Sequence, residues 1–95
     1  MLTIKVNKKE WGILDISFAD NRKLHMLNAM CFAGDKIDQE KYYNLLEEVR
    51  QMAGYGDGTE NQKLLEDLTM VQIDTLLQTF LMEYLGLNAK KTSGN

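Results

Sequence analysis

A chain of 95 residues, of which 44% are hydrophobic and 26% charged, has the size and composition of one small globular domain. No apolar run approaches the roughly 18 residues of a membrane-spanning helix, and no basic-then-apolar leader suggests export. The single cysteine, Cys31, cannot form an internal disulfide, which is typical of a reducing compartment. We therefore expect a cytoplasmic protein that does not contact a membrane.

The net charge of −3 is the sum of regions with opposite sign. Residues 1–34 carry a net charge of +2, whereas residues 35–85 carry −7. Because the basic residues are scattered and the larger part of the chain would repel phosphate, the sequence disfavours nucleic-acid binding. A solvated acidic helix face is the commonest explanation of such a region, with mimicry of nucleic acid as the alternative.

The N-terminal residues have the pattern of β-strands. Leu2, Ile4 and Val6 alternate with polar residues, as in a strand buried on one face. A second run rich in β-forming residues follows over 11–18, so the sequence predicts a β-hairpin over residues 2–18. Two strands alone are marginal in water, and the hairpin must therefore pack on helices or on another chain.

Two helices are predicted next. Asp20 is placed to cap the first, over residues 20–33. Either Asp35 or Asp38 can cap the second, over residues 36–53. The apolar positions of the second helix recur with helical spacing: Tyr42, Leu45, Leu46, Val49, Met52 and Ala53.

Two further helices are predicted over residues 60–67 and 70–85. A capping box, threonine followed three residues later by glutamine, precedes each of them: Thr59 with Gln62, and Thr69 with Gln72. The glycine-rich residues 54–58 are predicted to form a flexible connector, and residues 88–95 a flexible tail. The sequence thus predicts one mainly α, α+β domain over residues 1–87, with an N-terminal hairpin and three to four helices in a small bundle.

The sequence has few side chains of the types that catalyse reactions or bind metal ions and cofactors. His25 and Cys31 are the only imidazole and thiol, and a separation of six residues places them on different sides of a helix. The glycine-rich segment lacks the Lys-Ser/Thr pair of a phosphate-binding loop, and Asp57 adds negative charge where phosphate would sit. We therefore predict no catalytic residue, no metal and no cofactor, and expect that the protein is not an enzyme.

The first predicted helix is apolar on more than one side. Leu24, Leu27 and Cys31 suffice for a stripe facing the core. A second apolar face has the same helical spacing: Met26, Ala29, Met30 and Ala33. Because a helix that is apolar nearly all round must be covered on both sides, this face packs either within the domain or against another molecule.

The order of elements and one short motif resemble a known family. The features are Ala19-Asp20-Asn21 before a helix, an acidic helix, the segment Tyr55-Gly56-Asp57-Gly58-Thr59, and a short helix containing Lys63-Leu64-Leu65. In this order the sequence resembles the small tail-assembly chaperones of long-tailed bacteriophages, in which an aromatic-Gly-x-Gly-Thr segment often precedes the penultimate helix.

The resemblance implies a non-catalytic protein of the bacterial host cytoplasm. It would bind the long, apolar, helical tape-measure protein, keep that protein soluble during tail assembly, and associate with itself. The residues expected to contact a protein partner are Met26, Ala29, Met30, Ala33, Tyr55 and Met82. The alternative is a small phage- or bacterium-encoded inhibitor or adaptor that binds a host protein through its acidic helices, an interaction that salt would weaken.

Overall fold

The computed structural model describes residues 2–6 and 8–86, without the side chain of Ala33. An N-terminal antiparallel hairpin is followed by helices, which confirms the predicted mainly α, α+β fold. The elements of the described chain are β1 (Leu2–Val6), β2 (Lys9–Ile13), α1 (Phe18–Met30), β3 (Phe32–Ala33), β4 (Lys36–Ile37), α2 (Gln39–Ala53), α3 (Gln62–Leu65) and α4 (Met70–Leu85). The predicted tail over residues 88–95 lies outside the described residues.

The first hairpin covers one side of the helices. Ile4 pairs with Trp11 across the two strands, and both side chains are buried together with Ile13. The second strand ends at Ile13, so the prediction of a hairpin extending to residue 18 is wrong. Phe18 is instead the first residue of α1.

The first helix begins two residues and ends three residues earlier than predicted. Ser17, rather than Asp20, is the N-cap, and its hydroxyl oxygen accepts a hydrogen bond of 3.1 Å from the backbone N–H of Asp20. Asp20 lies in the first helical turn, where a carboxylate is favoured by the positive end of the helix dipole. The helix ends at Met30 because the chain then turns into a second hairpin.

The second hairpin is short and was not predicted. Phe32 pairs with Ile37, and Ala33 with Lys36. The turn between the strands contains Gly34 at φ +68, a left-handed conformation that glycine adopts at little cost. Residues predicted to end the first helix and begin the second are therefore extended.

The helix α2 matches its predicted amphipathic pattern. It begins after Asp38, whose carboxylate accepts a hydrogen bond of 3.1 Å from the N–H of Lys41. Of the two predicted caps, Asp38 is therefore the one used, and the helix begins at Gln39 instead of residue 36. The wholly buried residues of this helix belong to the predicted stripe: Leu45, Leu46, Val49 and Ala53.

The helix α3 is a single turn, shorter than the predicted 60–67. Only half of its predicted capping box is present. The N–H of Gln62 donates to the hydroxyl oxygen of Thr59 over 3.2 Å, but the side-chain oxygen of Gln62 accepts from the N–H of Gly58.

The helix α4 has its predicted bounds, 70–85, and its predicted capping box of Thr69 and Gln72. Its inner face fills the core of the described chain with Leu76, Leu77, Phe80, Leu81, Tyr84 and Leu85. Val71 is exposed because it falls on the opposite side of the helix from these residues.

We expect the folding stability to fall at alkaline pH because the Tyr84 hydroxyl ionises more easily in the unfolded chain. This hydroxyl donates a hydrogen bond to the carbonyl of Leu14, and burial, with the charge of Asp15, raises the pKa of Tyr84 from 10.0 to about 12. A raised pKa in the fold means that the stabilisation is complete below pH 10 and is lost as the pH rises towards 12. Over that interval the wild type should lose about 2–3 kcal/mol more than Tyr84→Phe, measured by urea unfolding. Parallel losses in the two proteins would contradict this assignment.

Candidate protein-docking surfaces

Tyr55 lies in the core and not at a surface. Its side chain is 2% exposed, with ring centroids 6.1 Å from Trp11 and 5.4 Å from Phe80. Its hydroxyl donates a hydrogen bond of 2.8 Å to the carbonyl of Gly12. The prediction that Tyr55 contacts a partner is therefore wrong. Gly54, at φ +99, ends α2 in the left-handed conformation just before Tyr55 enters the core.

The glycine-rich segment, predicted to be a flexible connector, is hydrogen-bonded to α2. The Arg50 guanidinium donates to the carbonyl of Tyr55 and to the carboxylate of Asp57, each over 3.1 Å. Arg50 also binds Glu47 through two hydrogen bonds of 2.6 and 2.9 Å. Hydrogen bonding to Glu47, and then to Asp57, raises the pKa of Arg50, which remains charged and fastens the segment to α2.

The outer side of α1 is open to solvent. Among its thirteen residues, all of which are described, only Leu24 is wholly buried. Met26 is 62% exposed and Met30 54% exposed, and Ala29 between them is exposed too. The alternative in which the rest of the domain covers this face is therefore wrong for these three residues.

The second hairpin also exposes apolar side chains. Phe32 and Ile37 are cross-strand neighbours, and both are exposed. Phe32 follows Met30 by two residues. We use the term methionine face for the exposed apolar side chains of α1 after Leu24 and of the second hairpin: Met26, Ala29, Met30, Phe32 and Ile37. The sequence signal for the last two is the Gly-Asp pair between β-forming residues, which is typical of a two-residue hairpin loop.

The other two predicted contact residues are not part of this face. Ala33 lies in β3, not on α1, and its side chain is outside the described part of the structure. Met82 is 40% exposed on α4 and lines neither of the concave surfaces described here.

A shallow depression of about 470 Å³ follows the outer side of α1. Met26 and Ala29 supply its apolar part, and Asn21, Arg22 and His25 its polar part. A long apolar side chain of another protein could lie here against methionine, whose flexible side chain adapts to different shapes.

A deeper groove of about 390 Å³ lies between α2, α3 and α4. Leu46, Leu65 and Leu77 are buried beneath it, while Tyr43 and Met70 stand exposed at its walls. We call this the α2–α4 groove. The groove has no local sequence signal because its walls come from three elements that are separated along the chain.

The charged residues of the α2–α4 groove are mainly acidic. Glu47 is neutralised by Arg50 at 2.6 Å. Glu66 and Asp74 also line the groove, and neither forms an ion pair with any residue in the described part of the chain. The groove therefore offers an apolar floor with unneutralised negative charge at its edge, which favours a cationic apolar ligand over an anionic one.

The Cys31 thiol lies in an environment that disfavours nucleophilic reactivity. Cys31 is buried, and its Sγ donates to the carbonyl of Leu27 over 3.2 Å. Burial raises the pKa of the Cys31 thiol, and the nearby Asp38 carboxylate raises it further, so the reactive thiolate is disfavoured. The predicted placement of Cys31 towards the core is confirmed.

Two kinds of feature are absent from residues 2–6 and 8–86. No three histidine, cysteine, aspartate or glutamate side chains are grouped in a way that would hold a metal ion. No helix in these ranges combines the length and apolar character needed to cross a bilayer.

Comparisons of the chain with protein families, with curated proteins and with solved structures find no match.

Proposed function

We propose that the protein is a non-catalytic, protein-binding assembly factor that holds an apolar helical segment of a client and keeps it soluble. The observation that supports this is the methionine face, where large apolar side chains remain exposed at the end of α1 and on the second hairpin. The resemblance to phage tail-assembly chaperones suggests the tape-measure protein as the client.

The exposed methionines are well suited to an apolar helix. An amphipathic helix presents side chains at positions i, i+3, i+4 and i+7, and Met26, Ala29 and Met30 have the same spacing on α1. Each client leucine or methionine that becomes fully buried contributes about 1.5–3 kcal/mol. A few such contacts give reversible binding, as an assembly factor that must release its client requires.

The test is co-expression with an apolar helical fragment of a phage tape-measure protein that aggregates when expressed alone. The wild type should keep the fragment in the soluble fraction and elute with it from a sizing column. Met26→Glu with Met30→Glu should lower the soluble fraction by about tenfold, because two carboxylates would have to be buried against apolar side chains.

The matched control places the same two charges on the exposed side of α4. Val71→Glu with Thr75→Glu should leave the rescue unchanged, because neither residue belongs to the methionine face. Far-UV circular dichroism should show that both double variants are folded. Equal rescue by the folded methionine variant and the wild type would exclude this face as the client site.

A further inference from the structure

A second exposed apolar group lies at the opposite end of α1 from Met30. Phe18, the first residue of the helix, is 77% exposed, and the Arg22 guanidinium lies 5.8 Å from the centre of its ring. Arg22 forms no ion pair with any residue that the structure describes. Together they present an aromatic ring with an unneutralised positive charge.

The aromatic ring and positive charge of the Phe18–Arg22 pair complement the apolar floor and negative charge of the α2–α4 groove. Leucines form the floor of the groove, and Met70 at its wall is 75% exposed, so an inserted aromatic ring would cover apolar surface on both partners. Glu66 and Asp74 would face the guanidinium. The two surfaces thus complement each other in polarity and in charge.

The pair cannot occupy the groove of its own chain. The side-chain amide of Asn21 donates to the carbonyl of Tyr84 over 2.7 Å, which places the N-terminal end of α1 at the C-terminal end of α4. The groove borders the opposite end of α4, beginning at Met70. Fourteen residues of helix separate Met70 from Tyr84, a distance of about 21 Å.

We propose that the α2–α4 groove binds the Phe18–Arg22 pair of a second copy of this chain. Because the two contacting surfaces are different, the contact is heterologous and repeats head to tail, giving a ring where the rotation closes and an open filament where it does not. The contact uses no residue of the methionine face, but Arg22 also lines the depression beside Met26 and Ala29. The test of self-association is therefore made without a client.

Sedimentation of the purified 95-residue chain, without any client, tests the contact. The wild type should form species heavier than the 10.9 kDa protomer in a concentration-dependent manner. Arg22→Glu and Glu66→Arg should each weaken association by about tenfold or more, because each places like charges together. The double variant R22E/E66R should regain association, since the reversed charges attract again.

A control variant and a second readout complete the test. Lys36→Glu makes the same charge change as Arg22→Glu on the exposed β4 and should sediment like the wild type. Phe18→Ala should weaken association without reversing any charge. A wild type that is monomeric at all concentrations, or a double variant that stays as dissociated as the single ones, would overturn the proposal. Neither result bears on rescue of the tape-measure fragment, so the two proposals fail separately.

Discussion

Replacing Tyr55 with alanine should lower the free energy of unfolding by about 3–5 kcal/mol. The side chain is enclosed between Trp11 on the hairpin and Phe80 on α4, and its removal leaves a cavity between them. The substitution also leaves the Gly12 carbonyl without its hydrogen bond. In a domain of this size the loss corresponds to a fall in Tm of more than about 12 °C, measurable by calorimetry or circular dichroism.

Two variants distinguish burial of Tyr55 from a role in partner binding. Tyr55→Phe keeps the ring and loses only the hydroxyl, so it should cost about 1–3 kcal/mol and leave rescue of the client fragment unchanged. Tyr43→Ala removes the same side chain at an exposed position and should change stability by only about 0.5 kcal/mol. If Tyr55→Ala remained nearly as stable as the wild type but lost the client, Tyr55 would be a contact residue after all.

The elements predicted correctly are those whose sequence pattern lies within one long helix. The stripe of α2 and the capping box of α4 each lie within one helix, and the structure confirms both. The second hairpin was not predicted because strands of two residues are too short to show the alternation of apolar and polar residues. The apolar residues Met30, Cys31 and Phe32 are equally compatible with a longer α1. The end of α1 was misplaced for the same reason.

The candidate surfaces were predicted only in part. The exposure of Met26 and Met30 could be anticipated because α1 carries more apolar residues than one stripe requires. The burial of Tyr55 could not, because it depends on Trp11 and Phe80, which are distant in sequence. The α2–α4 groove is a similar case, since the acidic character of residues 35–85 was evident but the place where three helices enclose a cavity was not.

Leu24→Ala should cost about 2–5 kcal/mol and should loosen α1 before the rest of the domain. Leu24 is the one wholly buried residue of this helix. The helix is also attached by the hydrogen bond from Asn21 to the Tyr84 carbonyl and by the ion pair of Lys23 with Glu48, which is exposed and contributes at most about 1 kcal/mol. Amide hydrogen exchange should therefore show loss of protection in α1, while α2 and α4 remain protected. Leu64→Ala, at an exposed leucine of α3, is the matched control and should leave both stability and exchange almost unchanged.

The Leu24 variant also connects the two proposed surfaces to one helix. The methionine face and the Phe18–Arg22 pair are both positioned by α1, although Leu24 belongs to neither of them. A loosened α1 would have to be ordered again on each binding event, and the cost of that ordering is subtracted from the binding free energy. Leu24→Ala should therefore weaken client rescue and self-association together, with every contact residue intact. If α1 lost its protection but both activities were retained in full, neither surface would depend on the helical arrangement of its residues.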